Sequence, residues 1–159
     1  MLTSQVVTTN FKDKAKIKHA IKTLFPSNER APFWFLLQRA KKEGIDFLAF
    51  YDSDSEGNDI FVGYAYIITV VKGSDPLTTG VSRTLVFNLI VDGSQHSKGY
   101  GSGILEYIKQ RYAPNPIDLN IEAVIEGCEN LEQRQKRKAF YLKNGFVDSG
   151  NRCIQLKQP

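Results

Sequence analysis

The stretch "QHSKGYGSGILEYI", Gln95–Ile108, places three glycines at alternate positions immediately before a helical pattern. Glycine starts a helix at a cost, because it loses more backbone freedom on folding than alanine and adds no side chain to the core. We therefore expect something to lie so close to the backbone at Gly99, Gly101 and Gly103 that a Cβ would obstruct it. The preceding segment "RTLVFNLIVDG" predicts a strand, so the chain runs from strand to glycine loop to helix.

Such a loop predicts an anion site. The first N–H groups of a helix have no intrahelical acceptor, and the helix dipole adds about half a positive charge at the same point. Phosphate is the commonest guest. Two familiar phosphate motifs are excluded, because GxGxxG would need glycine in place of Ile104 and the NTPase loop would need Gly-Lys-Ser/Thr. A tight turn with close helix packing stays open as the alternative.

The composition is that of an ordinary globular protein, with 159 residues, 42% hydrophobic and 24% charged. We expect one domain spanning residues 1–159.

The longest apolar run, Phe61–Val71, is too short to cross a bilayer as a helix, and the N-terminus lacks a signal-peptide pattern, so we expect a cytoplasmic protein without membrane partners. Cys128 and Cys153 are too few for a disulfide framework or a four-thiolate zinc site, and no metal site is expected. The net charge of +4 suits an anionic ligand or partner, but it is weak evidence for one.

The hydrophobic pattern predicts a strand, two helices, three strands, a helix, a strand, a helix and two final strands. This order indicates an α/β protein with one mixed sheet and parallel pairing near its middle. The segments behind this prediction are "DKAKIKHAIKTLF" and "FWFLLQRAKKEG" as helices, "IDFLAFY" and "IFVGYAYIITVV" as a hairpin, "RTLVFNLIVDG" as the next strand, the helix from about Gly99 to Arg111, the strand "IDLNIEAVIE", the helix from about Leu131 to Lys143, and "FVDSGNRCIQL" as the last two strands.

Two segments resemble motifs of the GNAT superfamily, the acyl-CoA-dependent N-acyltransferases. "LIVDGSQHSKGYGSGILEYI" is similar to its Gln/Arg-x-x-Gly-x-Gly/Ala signature, with Gly99 and Gly101 at the small positions and His96 where Gln or Arg is usual. "RKAFYLKNGF" is similar to its last-helix motif, with Ala139 one place closer to Tyr141 than in the common form. The resemblance extends from about residue 2 to 158. It implies the GNAT fold, a mixed central sheet of about 6–7 strands flanked by about four helices.

The resemblance also implies acetyl-CoA as cosubstrate. Its pyrophosphate would rest on the backbone amides of the loop, and its pantetheine arm would run beside the preceding strand. Lys98 would neutralise a phosphate or be a solvated loop lysine, and Asn130 would contact the pantetheine or cap the last helix. The implied binding residues are Leu89, Ile90, Val91, His96, Ser97, Lys98, Gly99, Tyr100, Gly101, Ser102 and Asn130.

Acyl transfer to an amine needs a neutral amine, a stabilised oxyanion and a proton for the departing thiolate. The resemblance implies Tyr141 as the acid, with a core aromatic as the alternative. Strand alternation in "IDLNIEAVIE" places Glu122 and Glu126 on one face as candidate bases, with exposed structural glutamates as the alternative. The oxyanion donor is expected to be a strand amide near Ile90.

The predicted function is N-acetyl transfer from acetyl-CoA to a primary amine by direct attack. The alternative is a non-catalytic acyl-CoA-binding sensor or scaffold of the same fold. The basic run Gln133–Lys138 favours a solvated helix face over a nucleic-acid interface, because no aromatic residues interleave it. The resemblance implies that the segment "FPSNERAPFWF", which contains Glu29 and Trp34, shapes the acceptor site. The acceptor amine and a homodimer stay open.

Overall fold

The computed structural model describes residues 1–25, 27, 30–71, 73, 82–149 and 154–157, the last four by their backbone alone. The elements follow one another in the predicted order. The strands are β1 (Thr3–Val6), β2 (Ile45–Ser53), β3 (Asp59–Val70), β4 (Arg83–Val91), β5 (Ile117–Ile121), β6 (Val147–Asp148) and β7 (Ile154–Lys157). The α-helices are α1 (Lys14–Leu24), α2 (Phe33–Arg39), α3 (Tyr100–Tyr112) and α4 (Leu131–Lys143).

The seven strands form one sheet in the order β1-β2-β3-β4-β5-β7-β6. All neighbours are antiparallel except β4 and β5, which are parallel and are joined through α3. The predicted hairpin is β2–β3, closed by a turn in which the Asp54 carboxylate accepts hydrogen bonds from the backbone of Glu56 and Asn58. The predicted mixed sheet with parallel pairing near its middle is therefore confirmed.

Each face of the sheet carries its own core. On one face the side chains of α1 and α2 pack on aromatic residues of β2 and β3, among them Phe47, Tyr51 and Tyr64. On the other face Ile104, Leu105 and Ile108 of α3 pack against β2, β3, β4 and β5 together with Tyr141 of α4. The stripe predicted for α3 is thus the one that the fold buries.

Two predicted boundaries were wrong. The strand predicted over Ile117–Glu126 ends at Ile121, the last residue with a partner in β7, so Glu122 lies just beyond the strand and Glu126 lies on a turn. Continuous β-propensity cannot extend a strand that has no neighbour to pair with. The second helix, predicted up to Gly44, ends at Arg39 and is followed by turns.

Two tyrosines of β3 that belong to the same core, Tyr64 and Tyr66, differ in one hydrogen bond, and this difference predicts opposite changes in stability. The buried Tyr64 hydroxyl has no partner among the described residues, whereas the Tyr66 hydroxyl donates to the Leu36 carbonyl at 2.8 Å. Tyr64→Phe should raise the free energy of unfolding by about 1 kcal/mol, because it removes an unsatisfied polar group. Tyr66→Phe should lower it by about 1 kcal/mol. Urea unfolding of both variants checks this, and equal changes of one sign would contradict it.

Candidate active site

Strands β4 and β5 are paired at one end and separate at the other. Their pairing covers only Thr84 with Ile117, Leu85 with Asp118 and Val86 with Leu119. Arg83 closes the paired end through a bidentate ion pair with the Asp118 carboxylate, at 2.5 and 2.7 Å. Beyond Val86 the register against β3 also shifts, which indicates a bulge at Phe87. The segment Phe87–Val91 therefore keeps β3 on one side and has an open edge on the side of β5.

The backbone groups on that open edge can be assigned from the strand pairing. The Asp92 N–H donates to the Val62 carbonyl at 2.9 Å, so the neighbouring pair Val91–Gly63 is of the non-hydrogen-bonded kind. By alternation, the N–H and C=O groups of Leu89 and Val91 face the open edge, and those of Ile90 face β3. An oxyanion donor on this strand would therefore be an amide of Leu89 or Val91, not that of Ile90.

A cleft of about 480 Å³ occupies the gap between the two strands, within the usual range for small-molecule sites. It runs through the sheet, because its lining includes Phe25 beyond the end of α1 on one face and Tyr141 of α4 on the other. The residues proposed from the sequence that line it are Leu89, Ile90, Val91, His96, Glu122, Asn130 and Tyr141. Glu126 and the loop residues Ser97–Ser102 are not part of this lining.

The start of α3 carries free amides. Gly99 stands before the helix in the left-handed conformation with φ +80°, and no side chain caps the helix. The Gly103 N–H is the first with an acceptor, the Gly99 carbonyl at 3.1 Å. Within the described part of the chain, the N–H groups of Gly99, Tyr100, Gly101 and Ser102 have no acceptor. The predicted free donors at this helix start are therefore present.

The three glycines serve different purposes: the expected obstruction of a Cβ is present at Gly101 and Gly103, and the expectation was wrong at Gly99. A Cβ on Gly101 would lie 2.9 Å from the Phe140 ring, and one on Gly103 would lie 2.8 Å from Leu2. Both contacts are with the protein's own side chains, so these two glycines allow α3 to pack closely. Gly99 faces open space, and its positive φ is what requires glycine there.

Side chains of the loop hold its shape. A ring nitrogen of His96 lies 3.0 Å from the Val91 carbonyl, so one of the groups on the open edge is already bonded. The Lys98 ammonium donates to the Gln95 side chain at 3.0 Å. The Tyr100 hydroxyl donates to the Asp52 carboxylate at 2.9 Å, and this bond raises the pKa of the tyrosine. His96 thus ties the loop to the end of β4.

Tyr141 lies in the second half of α4 and is 8% exposed. Its ring contacts Phe140 and Phe146, with ring centres 5.1 and 5.8 Å away. Burial raises the pKa of Tyr141 to about 12, although the nearby Arg137 acts in the opposite direction. No hydrogen-bond partner for its hydroxyl exists among the described residues. The ring is therefore part of the core while the side chain also lines the cleft.

Glu122 belongs to a polar cluster at the edge of the cleft. Its carboxylate pairs with Arg134 at 3.2 Å and Arg137 at 3.8 Å, and accepts a weak hydrogen bond from Asn130 at 3.4 Å. Asn130 makes no side-chain cap for α4; its oxygen accepts from Arg134 instead. The two arginines were not predicted as site residues, although their spacing of three placed them on one helix face.

The remaining predicted residues lie elsewhere. Glu126 is exposed on the turn after β5. In the predicted acceptor segment Phe33 is buried and Trp34 is 65% exposed, while Glu29 lies outside the described residues, as does Cys153. Cys128 is a free thiol. No group of three or more metal-ligating side chains occurs in the described ranges. No described helix is long and apolar enough to span a membrane.

Comparison with solved structures decides the fold. Naa50 of Arabidopsis thaliana, in complex with the bisubstrate analogue CoA-Ac-MVNAL, superposes with a TM-score of 0.63 at 20% identity, covering 99% of this chain and 98% of the other. The chain has the GNAT fold. NAA60 of the same plant, in complex with acetyl-CoA, gives a TM-score of 0.64 at 12% identity and covers 99% and 97% of the two chains.

A third structure extends the likeness to bacteria. The histone acetyltransferase HPA2 and related acetyltransferase from Corynebacterium glutamicum gives a TM-score of 0.62 at 15% identity, covering 99% and 96% of the two chains. By sequence alone, no protein-family model and no curated protein matches this chain. At these identities the likeness establishes the GNAT fold, and the chemistry has to be argued from the cleft.

Proposed function

We propose that this GNAT-fold chain is an N-acetyltransferase that transfers the acetyl group of acetyl-CoA to a primary amine by direct attack. The observation that carries the proposal is that the open edge of β4, which borders the cleft, leads along the chain to the free amides at the start of α3. The solved neighbours of the same fold include Naa50 bound to a CoA bisubstrate analogue, NAA60 bound to acetyl-CoA, and a bacterial acetyltransferase. Because these neighbours share the fold, the CoA ligands bound to the first two support the proposal by analogy.

The residues present fit the cosubstrate. Four N–H groups without an acceptor among the described residues, those of Gly99 to Ser102, lie at the positive end of a thirteen-residue helix, and such donors suit a diphosphate. The open-edge N–H and C=O groups of Leu89 and the N–H of Val91 suit a ligand arm that carries amides, which would add to the sheet like a further strand, while the Val91 carbonyl is bonded to His96. When bound, acetyl-CoA supplies a thioester carbonyl that an amine can attack.

Tyr141 is proposed as the proton donor. Tyr141 lines the cleft, and its hydroxyl has no hydrogen-bond partner among the described residues. The hydroxyl stays protonated at neutral pH, because burial raises the pKa of Tyr141 to about 12. A protonated hydroxyl donates a hydrogen bond to negative charge that develops on a departing sulfur. Full transfer of the proton to a thiolate is uphill in water, since a cysteine thiol has a pKa of about 8.5. Stabilisation through the hydrogen bond is therefore the main contribution of Tyr141.

Glu122 is proposed as the group that accepts a proton from the amine, through water. It lines the cleft, whereas Glu126 lies outside it on an exposed turn. The guanidinium groups of Arg134 and Arg137 orient the carboxylate and also occupy part of it. Glu122 is therefore expected to accelerate proton transfer from the amine only modestly.

Glu122→Gln should lower kcat/KM about ten-fold near pH 7. This loss is smaller than removal of a general base usually causes, because water relays the proton. The loss should shrink as the pH approaches the pKa of the amine, since more of the substrate is then already neutral. A pH series of kcat/KM for both proteins checks this. A loss of the same size at every pH would contradict the role in proton transfer.

Two assays test the function as a whole. Calorimetry measures whether acetyl-CoA binds, and release of free CoA from a panel of primary amines measures transfer. Binding together with amine-dependent release supports the enzyme. Binding without release from any amine supports the acyl-CoA sensor or scaffold instead, and absence of binding contradicts both.

A further inference from the structure

A second hollow adjoins the cleft on the face of the sheet that carries α1 and α2. Its volume is about 190 Å³, and its lining is formed by Ile21, Phe25, Ala31, Leu36, Phe87 and Asn88. Three of these residues, Phe25, Phe87 and Asn88, also line the cleft between β4 and β5. The two spaces therefore meet at the bulge of β4.

The direction of β4 indicates which end of a bound ligand would lie near the place where the hollow and the cleft meet. The free amides at the start of α3 follow the C-terminal end of β4, after Val91. Phe87 stands four residues earlier, about 13 Å away at 3.3 Å per residue. A ligand anchored by its phosphates near Val91 and extended along β4 directs its reactive end towards Asn88 and Phe87. The second hollow therefore opens where the transferred group would meet the acceptor.

The chemistry of the hollow is apolar. Five of the six lining side chains are hydrocarbon, and Asn88 at the junction is the exception. A cavity of about 150 Å³ with a similar Leu, Ile and Phe lining stays dry and binds benzene. This hollow is larger, so it accommodates a branched aliphatic or single-ring substituent. Phe87, which is 52% exposed, extends the apolar surface beside it.

We propose that the acceptor is a primary amine with an apolar substituent on the carbon next to the nitrogen, and that this substituent occupies the second hollow. The inference rests on the proposed transferase function and adds the substrate class. Asn88 stands between the hollow and the cleft, where its amide can hydrogen-bond the amine end. Cationic acceptors such as polyamines have no matching partner in the described lining of this hollow.

The test compares L-leucinamide with glycinamide as acceptors. Both carry an α-amino group with a pKa of about 8, so the neutral fraction of the nucleophile is matched. The kcat/KM for leucinamide should exceed that for glycinamide at least 10-fold, since a single methylene in an apolar pocket changes the rate by about 10-fold or more. Putrescine is included as the cationic acceptor, and it should be the poorest of the three.

Two alanine variants localise the effect. Ala31→Leu places a larger side chain in the hollow and should reduce the leucinamide/glycinamide ratio at least five-fold. Ala40→Leu is the matched control, because Ala40 lines a separate hollow between α2 and β2 and should leave the ratio unchanged. Calorimetry of leucinamide binding to the CoA-saturated protein gives a readout that does not depend on turnover, and Ala31→Leu should weaken that binding as well.

The outcomes separate this inference from the proposed function. If acetyl-CoA binds and amines are acetylated, but glycinamide or putrescine equals leucinamide, the substrate class is wrong and the transferase stands. An equal loss of the ratio in both variants also overturns the assignment to this hollow. If acetyl-CoA does not bind, both the function and the inference fall.

Discussion

Tyr141→Phe is expected to lower kcat at least about 10²-fold while the Kd for acetyl-CoA stays within about two-fold. Tyr141 lines the cleft, and the substitution removes its hydroxyl while keeping the ring that packs on Phe140 and Phe146. Because the interaction is needed only as charge develops on the sulfur, its loss should appear in turnover rather than in cosubstrate binding. Steady-state kinetics and calorimetry on the same preparation measure both quantities.

Two controls accompany this prediction: the pH dependence of wild-type turnover and the substitution of a second tyrosine. With a pKa of about 12, the Tyr141 hydroxyl is protonated below that pH, so wild-type turnover should not fall through loss of this proton between about pH 6 and 10. Tyr107→Phe removes a hydroxyl from α3 that bonds Ser4, away from the cleft, and should leave kcat unchanged. A Tyr141→Phe protein that acetylates a genuine acceptor at the wild-type rate would exclude Tyr141 as the donor.

Gly63→Ala is expected to have the largest structural effect. A Cβ on Gly63 would lie 2.1 Å from the Ile90 carbonyl oxygen and 3.1 Å from the Val91 Cα, both of which are backbone atoms of β4. Backbone within a paired strand cannot yield as a side-chain tip can, so the free energy of unfolding should fall by about 3 kcal/mol or more. At about 2–4 °C per kcal/mol, the melting temperature should fall by about 6–12 °C.

The same change should weaken cosubstrate binding, because the displaced segment carries the open edge at Leu89 and Val91. The matched control is Gly93→Ala, since Gly93 has a negative φ and nothing within 4 Å of an added Cβ. Its melting temperature should stay within about 2 °C of wild type. Equal melting temperatures for Gly63→Ala and Gly93→Ala would contradict the account of how β4 is positioned.

The order of the elements could be predicted from the sequence because each has a clear local pattern. Ile104, Leu105 and Ile108 repeat at helical spacing, and the β-branched and aromatic runs of β2 and β3 flank a polar turn. The resemblance in the glycine loop and in "RKAFYLKNGF" implied the GNAT fold, which the structure confirms. These signals are all local in the chain.

The features that escaped prediction depend on contacts between distant segments. The end of β5 is set by its partner β7, and Gly101 is required by Phe140, 39 positions later. Gly63 stands inside the strand pattern "FVGYAY", where a glycine signals that another backbone lies close, yet only the pairing of β3 with β4 identifies that backbone. The joining of Glu122 with Arg134 and Arg137 likewise requires the fold.

One titration tests the central claim that the free amides at the start of α3 hold the diphosphate of acetyl-CoA. Acetyl-CoA and S-acetylpantetheine share the thioester and the pantetheine arm, but only acetyl-CoA carries the pyrophosphate and the adenosine 3′-phosphate attached to it. The account predicts calorimetric binding of acetyl-CoA with a Kd of about 10⁻⁵ M or below, and binding of S-acetylpantetheine at least about 100-fold weaker, a difference of about 2.7 kcal/mol. Equal affinities for the two ligands, or no heat with acetyl-CoA, would contradict it.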